Sequence, residues 1–143
     1  MNKDTRLSGV LHVLIHLDHA DKPLTSEALA KTMGTNPAVF RRTMSGLREA
    51  GYVRSEKGHG GGWVLERKLS EMTLLDVFKA LDHKGVFSFG LRNDNPNCKV
   101  EGAVNDALSE TMDAAQRILL EGLADVTLQK ISDQAICRQA RGA

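Results

Sequence analysis

Residues 36 to 51 form the stretch that most restricts how this chain can fold. Asn36 is a favourable N-cap because its side chain can accept a backbone N–H, and Pro37 suits the first helical position, where no N–H is needed. Gly51 fits the position just after a helix. At about 100° per residue, the predicted helix has one apolar face and one that is small, polar and cationic. The apolar face comprises Phe40, Thr43, Met44, Leu47 and Ala50, and the opposite face comprises Ala38, Arg41, Arg42 and Ser45.

The opposite face has the properties of a DNA-recognition helix. Arginine can donate two hydrogen bonds to one guanine, and small side chains let a helix approach the floor of the major groove. Exposed arginines by themselves are more often part of a solvated surface. The neighbouring segments therefore decide whether this face is interpreted as a DNA-binding one. Thr25 can cap a short upstream helix over residues 26 to 33, and residues 34 to 36 make a tight turn. These segments predict a helix-turn-helix in which Thr25, Ser26 and Asn36 join the DNA-binding residues.

Two short strands with a glycine-rich link follow the second helix. Residues 52 to 56 and 63 to 67 are predicted strands, and four of the five residues from 58 to 62 are glycine. Such a backbone can lie close to a phosphate or enter a narrow groove. The alternative, a phosphate loop of a nucleotide-binding enzyme, would join a strand to a helix. The segment therefore predicts the wing of a winged helix, whose DNA-contacting residues are Lys57, Gly58, His59, Gly60 and Gly61.

Three segments resemble the Rrf-two family of bacterial transcription regulators. They are LREAGYV at residues 47 to 53, SEKGHGGGWVL at residues 55 to 65 and MTLLDV at residues 72 to 77. The resemblance covers nearly the whole chain, and a triple-glycine wing followed by the last segment is fairly specific. It implies a homodimeric winged-helix regulator, usually a repressor, that binds double-stranded operator DNA through the second helix and the wing.

The charge distribution agrees with DNA binding better than the total charge does. The net charge is only +1, but residues 41 to 68 hold seven Lys and Arg against three Asp and Glu, whereas residues 98 to 143 hold five against seven. A composition of 41% hydrophobic and 26% charged residues is that of a soluble globular protein. No signal peptide or membrane-spanning run is evident, so the expected location is the cytoplasm.

Residues 5 to 19 predict a first core helix that carries an unusual histidine stripe. His12, His16 and His19 fall at i, i+4 and i+7, and two histidines at i and i+4 can chelate a transition metal. The favoured interpretation is a polar surface stripe without a metal, because no acid or cysteine in the sequence completes the set. The apolar stripe of this helix comprises Leu7, Val10, Leu11, Leu14 and Leu17.

Residues 83 to 99 predict a loop, which in the resembling family is the sensory region. Members that bind an iron-sulfur cluster carry three cysteines there, whereas this chain has Cys98 alone and has Ser8 where some members place an acidic ligand. No cofactor is therefore expected, and a cluster in particular is not. Cys98 precedes a long predicted helix, where the helix dipole and Lys99 favour thiolate chemistry and a redox-sensing role. An inert, half-buried thiol is the favoured interpretation, and the redox switch is the alternative.

Residues 100 to 123 predict one long helix, which would extend beyond a winged-helix core. Its apolar stripe would be exposed to solvent in a monomer. Because burial of this stripe against a second copy would be favourable, we expect a homodimer. A short last helix after Thr127 and a disordered tail from residue 138, with Cys137 at its edge, are expected to follow. The stripe includes the predicted dimerisation residues Val104, Leu108, Met112, Ala115 and Leu119.

The predicted fold class is mainly α with a small β-wing. Residues 1 to 82 would form a winged helix-turn-helix domain, residues 83 to 99 a sensory linker, and residues 100 to 143 a dimerisation helix with a C-terminal tail. The predicted function is a dimeric, sequence-specific DNA-binding transcription regulator that acts as a repressor. A thiol-redox response through Cys98 is a further hypothesis. The alternatives are a winged-helix module for protein association without a DNA target and a metal-responsive regulator. No residues fall at a spacing that catalysis requires, so an enzyme is not expected.

Overall fold

The computed structural model describes residues 3 to 82 and 90 to 142, so residues 83 to 89 of the predicted sensory loop lie outside the described residues. The described residues form six α-helices and one two-stranded antiparallel sheet, which confirms the predicted fold class. The elements are α1 (Arg6–His19), α2 (Ser26–Thr32), α3 (Pro37–Glu49), β1 (Val53–Glu56), β2 (Gly62–Leu65), α4 (Leu74–Ala80), α5 (Lys99–Ala124) and α6 (Leu128–Gly142).

Helix α1 packs against α2, α4, α6 and β2, and its apolar stripe supplies much of the core. Val13 is fully buried although the predicted stripe omitted it, whereas Leu7 and Leu11 lie at the margin of the core. The predicted stripe was therefore rotated slightly from the buried one. The core consists of Val10, Val13, Leu14, Leu17, Leu29, Ala30, Phe40, Met44, Leu47, Val53, Trp63, Leu69, Met72, Val77, Leu81 and Leu128.

Side chains cap the N-termini of α2, α3 and α4. The Thr25 hydroxyl accepts the Ala28 N–H at 3.2 Å at the start of α2. The Asn36 carbonyl oxygen accepts the Val39 N–H at 3.0 Å at the start of α3. At α4, Thr73 and Asp76 satisfy each other's backbone N–H groups in a capping box. Each cap supplies a partner to an N–H that the helix cannot satisfy internally, which fixes where the helix begins.

The predicted second helix and wing are confirmed with small shifts of their ends. Gly51 follows α3 with φ of +79°, as a C′ glycine does. Strand β1 pairs with β2 in antiparallel register, with Val53 opposite Leu65 and Glu56 opposite Gly62. Each strand has four residues where five were predicted, and a 3-10 turn follows them at Leu69–Glu71.

The two C-terminal helices lie in different environments. None of the 26 residues of α5 is buried. Helix α6 instead packs against α1 and the 3-10 turn, with Leu128 and Ser132 buried, and the Leu128 N–H donates to the Met72 carbonyl at 2.9 Å. The described residues from 99 to 142 therefore divide between a projecting helix and a helix of the winged-helix core.

The predicted disorder from residue 138 is wrong for the described residues. Helix α6 continues to Gly142, because its buried residues at positions 128 and 132 anchor one face on the core. Cys137 consequently lies on the exposed side of a helix and not in a frayed tail. None of the helices in the described residues combines the length and apolar character needed to span a membrane.

Candidate nucleic-acid interface

The burial of one side of α3 fixes which side faces outward. Phe40, Met44 and Leu47 are fully buried, so the opposite side, with Ala38, Arg41 and Arg42, is exposed. Two residues assigned to the apolar face lie outside the core. Thr43 is half-buried and Ala50, which follows the last residue of α3, is exposed.

Arg41 and Arg42 lie on the exposed side of α3. Within residues 3–82 and 90–142, no carboxylate lies within ion-pair distance of Arg41 or Arg42. Arg54 on β1 differs, because it binds Glu66 at 2.7 Å and Glu56 at 2.8 Å. The hydrogen bonds to those carboxylates raise the pKa of Arg54. Among these arginines, the pair on α3 is therefore the one available to an anionic ligand.

Several predicted DNA-binding side chains are already used within the fold. The Thr25 and Asn36 oxygens cap helices, and the Ser45 hydroxyl donates to the Arg42 carbonyl at 2.7 Å. The Ser26 hydroxyl accepts the indole N–H of Trp63 at 2.9 Å. These residues position the interface, and a hydroxyl that accepts one hydrogen bond retains its proton for a second partner.

Trp63 connects the wing to both helices of the helix-turn-helix. Its indole N–H donates to Ser26 of α2, and its ring meets Phe40 of α3 edge to face at a centroid distance of 5.8 Å. Its backbone N–H and carbonyl pair with Leu24 at 2.7 and 3.2 Å. Because Trp63 is almost fully buried, these contacts hold β2 at a fixed position relative to the recognition helix.

The tip of the wing needs glycine for its conformation. Gly58 and Gly60 have φ of +94° and +79°, which residues with a side chain rarely adopt. A Cβ at Gly61 would lie 2.3 Å from the Glu56 carbonyl oxygen, so the turn also has no space there. Lys57 and His59 are exposed on this turn. The wing thus presents a narrow backbone loop with one cation and one imidazole.

Val39 is an interface candidate that sequence analysis missed. It is 40% exposed on α3, next to Ala38. Helical projection left it on neither face, because it lies at the edge between them. An exposed methyl-bearing side chain on a recognition helix can contact the methyl group of thymine. The feature that identifies Val39 is the exposure of an apolar side chain. This exposure is evident only from the way α3 packs on the core.

The predicted sensor residues belong to other elements, α1 and the start of α5. Cys98 is half-buried at the N-cap of α5, where its sulfur accepts the Glu101 N–H at 3.5 Å. The histidine stripe is divided: His12 and His16 contact each other, whereas His19 bonds through Nε2 to the Ser132 hydroxyl at 2.9 Å. In the part of the chain that the structure describes, no three His, Cys, Asp or Glu side chains are grouped to hold a metal ion.

A helix-turn-helix, a wing in a fixed position and an outward-facing arginine pair are together the architecture of a winged-helix DNA-binding protein. The sequence model of the Rrf2 family, described as iron-dependent transcriptional regulators, matches residues 3 to 134. YwnA of Bacillus subtilis, a helix-turn-helix protein, is 31% identical over 128 residues, which cover 90% of this chain and 95% of YwnA. The chain belongs to the Rrf2 family of transcriptional regulators.

Solved structures share the fold over nearly the full length. A crystal structure from Lactobacillus plantarum matches with a TM-score of 0.77 at 21% identity, and covers 93% of this chain and 91% of that one. CymR of Bacillus subtilis, called its global cysteine regulator, matches with a TM-score of 0.58 at 23% identity, over 94% and 98% of the two chains. At these identities the likeness establishes the fold.

The iron chemistry in the family description does not fit the ligands of this chain. Iron-sulfur clusters are held by about four ligands, mostly cysteine thiolates. The whole sequence contains two cysteines. Cys98 is the N-cap of α5 and Cys137 lies on α6, a separate element. The two thiols therefore do not supply the donor set of a cluster.

Proposed function

We propose that this protein is a homodimeric, sequence-specific DNA-binding repressor of the cytoplasm. The observation that supports this most directly is the arginine pair on the exposed face of α3, which has no carboxylate partner among the described residues and lies beside a wing that Trp63 holds in place. Arg41 and Arg42 would donate to guanine O6 and N7 in the major groove, with Ala38 and Ser45 allowing close approach and Val39 against a thymine methyl. Lys57 and the glycines of the wing would approach the phosphate backbone.

Replacing the α3 arginines should weaken DNA binding selectively. We expect Arg41→Ala and Arg42→Ala each to cost about 1–3 kcal/mol of affinity for a preferred duplex, and Lys57→Ala to weaken all duplexes and reduce the salt slope by about 1. Fluorescence anisotropy of labelled duplexes at several salt concentrations measures both effects. Arg138→Ala on α6 is the charge-matched control. Equal affinities and slopes for all four variants and the wild type would refute DNA binding by this face, and would favour a protein-association module.

Helix α5 supplies the proposed dimer interface. It spans 26 residues, about 39 Å, and most of its stripe is exposed, with Val104 50% and Leu108 46% accessible. Met112, Ala115 and Leu119 continue the same face. Burial against a second α5 would contribute about 25 cal/mol per Å² of apolar surface. A two-fold dimer would also present two recognition helices to half-sites about one helical turn, 34–36 Å, apart.

Charge on the α5 stripe should separate the dimer. We expect Leu108→Lys to give a monomer that remains folded, because this side chain contributes nothing to the core and two facing lysines would repel. Analytical ultracentrifugation measures the mass, and Ala103→Lys, an exposed position on the far side of α5, is the matched control. A dimer of unchanged stability in Leu108→Lys would place the interface elsewhere.

The thiol of Cys98 is the proposed site of redox control. Its sulfur caps α5, the helix that would form the dimer, so oxidation at Cys98 changes a group at the start of that helix. Sulfenic acid formation adds a polar oxygen to the sulfur, and a thiol can then condense with it. Oxidation of Cys98 would alter the dimer and thereby its affinity for DNA.

Oxidant should act through Cys98 if this proposal is right. We expect mild peroxide to lower the DNA affinity of the wild type at least several-fold and to leave Cys98→Ser unaffected, because serine retains a capping oxygen but not the thiol. Cys137→Ser is the control and should respond as the wild type does. If Cys98→Ser responds to peroxide like the wild type, redox control does not operate through this residue.

A further inference from the structure

His12 and His16 lie together on the exposed side of α1, outside the proposed DNA and dimer surfaces. Their Nε2 atoms are 2.9 Å apart, and their ring centroids are 4.6 Å apart with the planes tilted by 37°. One helical turn separates the two residues, which is the spacing at which two imidazoles can reach one point above a helix. Both side chains are accessible to solvent.

The separation of the two rings matches one kind of metal chelate. With metal–nitrogen bonds of about 2.0–2.1 Å, two imidazoles at right angles on one ion would have Nε2 atoms about 2.9 Å apart and centroids about 4.5 Å apart. At the tetrahedral angle the same bonds would give about 3.3 Å and about 5.2 Å. The observed 2.9 Å and 4.6 Å therefore fit the right-angle geometry. That geometry belongs to ions with tetragonal nitrogen and oxygen coordination, Cu²⁺ and Ni²⁺.

The third histidine of the stripe is engaged elsewhere. His19 is a poor third ligand because its Nε2 is hydrogen-bonded to the hydroxyl of the buried Ser132.

We propose that His12 and His16 form a two-imidazole site for one divalent transition-metal ion of tetragonal preference, Cu²⁺ or Ni²⁺, with water at the remaining positions. The described residues offer no third His, Cys, Asp or Glu ligand, so the site is exchangeable and distinct from a structural metal centre. The competing arrangement is a hydrogen bond between two neutral imidazoles. The ion would replace that bond while the rings keep nearly the same separation. The proposal does not depend on DNA binding.

Calorimetric titration with NiCl₂ in a buffer that does not chelate metals tests the site on the full-length protein. Replacing both cysteines with serine removes thiols from the assay. In that background we expect one Ni²⁺ per chain, and an affinity at least about tenfold weaker in His12→Ala and in His16→Ala. His19→Ala and His59→Ala, which remove histidines outside the pair, should bind within twofold of the parent. Circular dichroism shows whether each variant is folded.

A spectroscopic signature separates ligation from a structural effect of the substitutions. With one Cu²⁺ per chain, electron paramagnetic resonance should show a tetragonal ion with two imidazole nitrogens, and the His12→Ala/His16→Ala double variant should lose that signal. Absence of stoichiometric Ni²⁺ binding, or binding that survives both single substitutions, would overturn the proposal. The proposal would also be overturned if His19→Ala weakened Ni²⁺ binding as much as His16→Ala does, because the site would then not consist of His12 and His16 alone.

Discussion

Trp63→Ala is expected to lower the free energy of unfolding by about 3–5 kcal/mol, the usual range for removing a large buried aromatic side chain. The substitution leaves a cavity between α2, α3 and the wing and removes the edge-to-face contact with Phe40. It also removes the donor to the Ser26 hydroxyl. Urea denaturation followed by far-ultraviolet circular dichroism measures the loss, and the wing should lose its fixed position at the same time.

Trp63→Phe is the matched control for this prediction. It retains an aromatic ring against Phe40 and removes the indole N–H, so its cost should be smaller than that of Trp63→Ala. Loss of one hydrogen bond contributes about 0.5–1.5 kcal/mol, to which the smaller ring adds a packing cost. If Trp63→Ala costs less than about 1 kcal/mol, the tryptophan does not connect the wing to the helix-turn-helix as described.

Leu128→Ala should destabilise the winged-helix body although residue 128 lies far from it in sequence. The side chain is fully buried in the same core as Val10 and Met72, so truncation to alanine should cost about 2–5 kcal/mol. Ile136→Ala on the same helix is the control and should change stability by less than about 0.5 kcal/mol, because Ile136 is 53% exposed. Denaturant unfolding measures both variants. Equal stabilities would mean that α6 does not contribute to the core.

The sequence predicted well those features that depend on neighbours a few residues apart. The caps at Thr25, Asn36 and Thr73 were predictable because a capping side chain reaches only its own helix. Gly51 and the glycine-rich wing were predictable because each requires a backbone conformation that other residues rarely adopt. The outward position of Arg41 and Arg42 followed from helical periodicity alone.

Features that depend on distant parts of the chain were not predictable. The Ser132 side chain bonds to His19, which lies 113 residues earlier in the sequence. This contact belongs to the packing of α6, a helix that continues through residues that were predicted to be disordered. Ser26 was assigned to DNA, but its hydroxyl accepts the indole of Trp63, 37 residues away. Periodicity describes which side of a helix is apolar, and it does not identify the element that covers that side.

The same limit applies to the candidate interface. Val39 lies between the two faces of α3 in a helical projection, and only the packing of Phe40 and Met44 shows that it is exposed. Arg54 has the same charge as Arg41, yet its two carboxylate partners reduce its availability. The charge count of the sequence placed both arginines in one basic region. The contacts distinguish Arg41, which has no carboxylate partner among the described residues, from Arg54, which is held in ion pairs.

Selection from a random-sequence duplex library tests most directly the claim that this protein reads DNA through α3. The purified wild type and Arg41→Ala/Arg42→Ala would be compared at one salt concentration, since electrostatic affinity depends on salt. The account predicts that the wild type enriches a palindromic motif with half-sites about 10 base pairs apart, and that the double variant loses specificity at the guanine positions. Recovery of no motif by the wild type, or of the same motif with equal enrichment by both proteins, would contradict it.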